Sequence, residues 1–165
     1  MGVAHERSVG FYKDFHRHDR PMIVLPRGAC VVRVKTASPR AVYDVDHASL
    51  LIVPSGLEHE DDGLTTIFET LALFPSVALL DRVAADERIG PEQVRKVFGR
   101  CQKLSRSRWL EQLLQEYFFA QVVSRHESAQ TLAFFERQIL WSCWPSRSAA
   151  TRDRRRAGPP RRKRT

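Results

Sequence analysis

At 165 residues and 19.0 kDa the chain has room for one domain with a real hydrophobic core and a helical appendage. An apolar share of 42% is ordinary, and the most apolar run, Leu71 to Leu80, is short and broken by Pro75, so no membrane partner is expected. The net charge of +8 points to nucleic acid only until it is located: nine of the 27 basic residues and one acid follow Pro145, leaving 18 bases and 18 acids in a neutral body.

From about Ser8 to Phe74 short apolar runs alternate with turn residues. Pro21 to Leu25, Ala29 to Lys35, Ala41 to Asp44, Ser49 to Val53 and Thr65 to Phe74 are separated by Pro26-Arg27-Gly28, Ser38-Pro39-Arg40, Asp46-His47, Pro54-Ser55-Gly56 and Asp61-Asp62-Gly63. Many short strands rich in Val, Ile, Leu and Phe at this spacing predict a small closed β-barrel over residues 1–75.

The period changes after Phe74. Ser76 to Ala85 reads as a short helix capped by Ser76, and Pro91 opens a second that runs to Gly99. A long amphipathic stretch follows from Ser107 to Val123, with Trp109-Leu110, Leu113-Leu114, Tyr117-Phe118 and Val122 at helical spacing. Ser128 caps a last helix through Leu132, Phe135, Ile139 and Trp144. The last two predict an antiparallel helix pair, and residues 76–144 form a helical segment. Trp109, Phe118, Phe119, Phe134, Phe135, Trp141 and Trp144 exceed what one side of each helix buries. That surplus predicts a homodimer interface through Trp109, Leu113, Phe118 and Phe135.

Residues 145–165 carry no apolar periodicity, only Arg, Ser, Ala, Pro and Gly, and are expected to be a disordered Arg-rich tail. The tail could bind nucleic acid by charge alone. Leu104-Ser105-Arg106-Ser107-Arg108 has the look of the start of a DNA-recognition helix, but the apolar residues after it leave little polar face to read a groove. Cys30, Cys101 and Cys143 are few, odd in number and without a Cys-x-x-Cys pair. Together with a start that lacks a secretory signal, they predict a cytoplasmic protein with reduced thiols.

Two clusters carry the chemistry. His16 and His18 would face the same way on one strand, and the tight turn Pro54-Ser55-Gly56 leads to a strand at His59. Adjacent strands would bring three imidazoles to one point, a ligand-binding site that also suits a first-row divalent metal. His47 and His126 are assigned no role.

His-x-His followed by a Gly, and then Pro-x-Gly-x-x-His, resemble the two cupin motifs. In this resemblance Pro54, Gly56 and His59 match the second motif fully. The first is matched by His16, His18 and Gly28 but lacks its Glu, since Met22 and Ile23 occupy that region and Glu58 faces away from its neighbour His59. The order of motifs and helices, from Phe11 to Trp144, is most similar to the sensor half of AraC-type transcription regulators.

The resemblance implies an RmlC-like jelly roll, mainly β with C-terminal helices, that senses a small polar metabolite such as a sugar inside the barrel, dimerises and performs no catalysis. It also implies a helix-turn-helix half, for which this chain has no room, so a natural stand-alone sensor and a truncated or frameshifted regulator both stay open, and DNA binding is not expected without that half. The alternative is a metal-dependent cupin enzyme, a dioxygenase or isomerase, working at His16, His18 and His59.

Overall fold

The computed structural model describes residues 1–124 and 128–144; the Arg-rich tail and His126 lie outside the described residues. Among the described residues nine strands form two antiparallel sheets: β1 (Gly2–Val9), β2 (Tyr12–His16), β3 (Met22–Pro26), β4 (Val32–Thr36), β5 (Ala41–Val45), β6 (Ser49–Val53), β7 (His59–Gly63), β8 (Ile67–Phe74) and β9 (Gln102–Ser105). One sheet has the order β1-β8-β3-β6-β9 and the other β2-β7-β4-β5. The expected barrel is therefore a two-sheet sandwich of jelly-roll character.

Period two along the strands divides the apolar side chains between two cores. Met22, Val24, Leu51, Val53 and Phe68 of the five-stranded sheet meet Val32, Val34 and Val45 of the four-stranded one. Their neighbours Ile23, Leu25, Leu50, Ile52, Leu71 and Leu73 point the other way, onto the helices. Strands β3 and β6 are consequently buried at every position, which explains their unbroken apolar runs. The molecule has three layers: sheet, sheet, helices.

The helices are α1 (Val77–Asp86), α2 (Pro91–Phe98), α3 (Arg108–Phe118) and α4 (Ala129–Ser142), with a π-helical segment, Phe119–Ser124, continuing α3. Ser76, Ser107 and Ser128 each accept a hydrogen bond from the backbone N–H three residues on, at 3.1–3.2 Å, and so fix three of the four starts. Proline opens α2, where its missing N–H costs nothing. Helices α3 and α4 pack together, and buried Tyr117 donates its hydroxyl to Glu136 at 3.0 Å, in the register of an antiparallel pair.

Two further sequence expectations change. Asp61-Asp62-Gly63, read as a turn, lies within β7: Glu60 holds Lys35 at 2.5 Å on one face and Asp61 points inward on the other. Residues 102–105, placed in the helical segment, form β9 and pair with β6. The residues resembling a recognition helix thus begin as a strand, and α3 then commits its apolar face, Leu110, Leu113, Leu114 and Tyr117, to the core. As the sequence led one to expect, the described helices include none long and apolar enough to cross a membrane.

Candidate functional site

Strand β2 runs antiparallel to β7 with His16 directly opposite His59. The strand ends at His16, so His18 stands on the connection to β3 rather than on β2 as the sequence suggested. That connection is held from across the site. Gly56 adopts φ 74°, a left-handed turn conformation that glycine tolerates at little cost, and its N–H donates to the His18 carbonyl at 2.8 Å. Ser55 Oγ donates to the Asp19 carbonyl at 2.9 Å. The Pro-x-Gly turn therefore acts on the site by pinning the His-x-His segment.

The three imidazoles do converge. Ring centroids lie 4.3 Å apart for His16 and His59, 4.9 Å for His16 and His18, and 5.4 Å for His18 and His59. One nitrogen from each ring falls within 4.8 Å of the other two. His16 Nδ1 donates to the Asp14 carbonyl and His59 Nδ1 to the Leu57 carbonyl, both at 2.9 Å. A carbonyl only accepts, so each ring carries its proton on Nδ1 and turns a bare Nε2 lone pair toward the centre. Both Nε2 atoms are buried without a hydrogen-bond partner.

Asp61 completes the group, and the sequence reading missed it. Its Oδ2 lies 3.6 Å from His16 Nε2 and 3.9 Å from His59 Nε2, beyond hydrogen-bonding range, and its Oδ1 is buried without a partner. The available signal was period two: Asp61 follows His59 by two residues on the same strand and must share its face.

Burial shapes the charges. It pushes the His18 imidazole down to about 4, aided by the neighbouring His16 and His59. Burial also lowers His59 and His16, against the opposing pull of the Leu57 and Asp14 carbonyls. The same burial raises the Asp61 carboxyl to about 6. At neutral pH the site holds three neutral imidazoles and one carboxylate. These are the ionisation states that metal ligation requires, and the orphaned inward atoms fit a first-row divalent cation.

A cavity of about 130 Å³ adjoins this cluster. His16, His18, Asp61, Glu6, Thr70 and Lys13 supply polar groups, while Met22, Val24, Phe68 and Phe74 make apolar walls. A cavity of about 150 Å³ holds a benzene ring, so the ligand that fits here is small.

The four residues expected at a dimer interface have different fates. Trp109 is half exposed. Leu113 is only 3% exposed, because α3 needs it to cover the five-stranded sheet, and it is withdrawn from the interface. Phe118 lies under the Arg27 guanidinium at 4.0 Å and Phe135 packs beside Tyr117, both partly buried. Phe119, Phe134 and Trp141 are the other exposed aromatics of this region. The three cysteines are free thiols.

The facing sheets form an antiparallel β-sandwich of jelly-roll character with C-terminal helices. Comparison with known protein families and with curated proteins finds no match. Among solved structures, the chain is similar to apo ToxT K231A from Vibrio cholerae, at 10% identity and TM-score 0.61, over 93% of this chain and 58% of that one. It is also similar to Vibrio cholerae ToxT bound to an unsaturated fatty acid, at 11% identity and TM-score 0.58, over 85% and 51%. ToxT bound to (E)-4-(8-methylnaphthalen-1-yl)but-3-enoic acid matches at 9% identity and TM-score 0.58, over 82% and 53%. The chain spans about half the length of these ToxT chains, and at such identities the likeness is one of fold.

Proposed function

We propose that the chain is the small-molecule-sensing and dimerisation module of an AraC-type transcription regulator, without catalytic activity. The observation that carries this reading is the cavity lined on one side by His16, His18 and Asp61, with His59 buried behind them, in a fold shared with the AraC-family regulator ToxT. Binding would stabilise one arrangement of the sandwich and of the helices packed on it, which share the core of Ile23, Ile52 and Leu73. The ToxT structures with a fatty acid and a butenoic acid favour an acidic, largely apolar ligand. The cavity favours a largely apolar body of smaller size, since the hydroxyls of a sugar would lose hydrogen bonds against Met22, Val24, Phe68 and Phe74, and Lys13 is the cation on its wall that an acid would meet, beside Asp61 and Glu6.

Exposed Trp109, Phe119, Phe134 and Trp141 would form the contact with a second copy of the chain. The donor set at the cavity also favours a second reading, a metal-dependent enzyme, in which the cation would act as a Lewis acid.

A panel of short aliphatic and aromatic monocarboxylates, with hexoses alongside, tests the sensor by thermal shift. The acids should raise Tm in a saturable way, and Ala72→Leu, which fills the cavity, should abolish the shift while leaving the fold intact. A response to hexoses alone, or a response that survives Ala72→Leu, would overturn the proposed ligand site.

A further inference from the structure

Two guanidiniums stand at the rim of the five-stranded sheet, on the side opposite the cavity. Strand β9 ends at Ser105, and the next residue, Arg106, donates its backbone N–H to the Ala48 carbonyl at 2.9 Å. Strand β3 ends at Pro26, and Arg27 follows it. Leu25, Leu50 and Leu104 face the helices, so period two turns Arg27 and Arg106 to that same side, under α3. Their contacts agree. Arg106 Nη1 donates to Glu111 Oε2 at 3.3 Å, and the Arg27 guanidinium lies 4.0 Å from the centre of the Phe118 ring, about two turns further along α3.

Arg106 is the group that the fold leaves unanswered. Its side chain is 4% exposed, and both Nε and Nη2 are buried without a partner among the described residues. These two N–H groups share one edge of the guanidinium and point in parallel, the fork that grips two oxygens of one oxyanion. Glu111 engages only the remaining nitrogen. Folded proteins rarely leave such donors unmet unless something else satisfies them.

We infer that the free edge of Arg106 binds a phosphate ion at the start of α3. The site is separate from the cavity and does not depend on the sensor reading.

Two features favour phosphate over a less charged carboxylate. Arg27 shares the rim, and its positive charge reaches Arg106. Arg106 also immediately precedes Ser107, the cap of α3, and a helix start carries partial positive charge. The acids of the rim are already engaged. Glu69 accepts from Arg27 Nε at 3.2 Å, and Asp46 Oδ1 accepts from the Ser49 hydroxyl at 2.7 Å and the Ala48 N–H at 3.2 Å. Glu111 is 45% exposed and can turn to solvent as the anion enters. A phosphate held here would fasten α3 to the rim of the sheet.

The full chain, labelled with ¹⁵N, reports on the site through the Arg106 Nε–H signal, assigned through its bonds to the Arg106 backbone. Inorganic phosphate is titrated against chloride at constant ionic strength. The signal should move saturably, while that of Arg95, an exposed arginine paired with Glu92, should stay in place. Acetate should require roughly ten-fold higher concentration. Arg106→Lys keeps the charge and loses the fork, and should reduce the phosphate-induced rise in Tm roughly ten-fold. Ala72→Leu, which fills the cavity, should leave the phosphate response unchanged. An unmoved signal overturns the site and leaves Glu111 and Asp46 to balance the charge. Equal responses to acetate and phosphate, or an unaltered rise in Tm for Arg106→Lys, overturn it as well. Loss of the response in Ala72→Leu would place the anion in the cavity and overturn the separate site.

Discussion

Replacing Asp61 with Asn should stabilise the metal-free fold at neutral pH. The Asp61 side chain is only 13% exposed and one of its oxygens has no partner, so in the metal-free protein at pH 7 its negative charge is a cost to folding. Burial raises its pKa from 3.8 to about 6, roughly two units at 1.36 kcal/mol each, which bounds the cost at about 3 kcal/mol. Nearby imidazoles and the imperfect fit of an amide reduce the gain, leaving about 1–3 kcal/mol for Asp61→Asn. For a domain of this size that is a Tm rise of roughly 2–12 °C in EDTA at pH 7.

The sign of the pH dependence follows from the raised pKa. Folding favours the protonated carboxyl, so this cost is absent below about pH 4 and complete above about pH 6. The gain in Asp61→Asn should therefore shrink toward zero as the pH falls through that window. Paired thermal melts of parent and variant at pH 4 to 7 measure it. A variant that is less stable than the parent at pH 7 in EDTA would refute the picture of an unpaired buried carboxylate.

Gly56→Ala forces a side chain into a left-handed conformation with no steric neighbour, and should cost about 1–2 kcal/mol in urea unfolding as the His18 segment is released. Ile52→Ala removes a fully buried side chain between the five-stranded sheet and the helices and should cost about 2–5 kcal/mol by the same assay. Ser107→Ala removes the cap of α3 and should cost about 1 kcal/mol, read as a fall in Tm. The pair Phe134→Glu and Trp141→Glu, at half-exposed positions, should convert a dimer to a monomer in light scattering with little change in Tm; an unchanged mass would remove this surface from the interface.

The strands that were legible in the sequence are those buried on both sides. Strands β3 and β6 declare themselves because sheet and helices cover opposite faces and every position is apolar. Strands β1 and β9 did not, and they are the two edges of the five-stranded sheet. An edge strand needs fewer apolar contacts, so β1 carries His5, Glu6 and Arg7, and four-residue β9 has Leu104 as its one large apolar side chain. Capping serines marked the helix starts because their hydrogen bonds are local and leave a local signature. What each helix buries is not local. Leu113 and Trp109 look equivalent in a stripe, and only the tilt of α3 on the sheet assigns one to the core and the other to solvent.

The histidines were legible as a motif, while their convergence required the pairing of β2 with β7. Asp61 was hidden by its neighbours. Two acids before a glycine resemble a turn, and nothing local shows that Lys35 on the next strand neutralises Glu60 and lets the segment stay extended.

Long-range ¹H–¹⁵N spectra of the imidazoles test the pocket itself most directly. In metal-free protein at pH 7, His16 and His59 should show neutral rings protonated at Nδ1, and a carboxylate that raises Tm should shift the signals of His16, His18 and His59 together. Rings that titrate near 6.5 like free histidine and ignore the ligand would contradict the convergence on which the site depends.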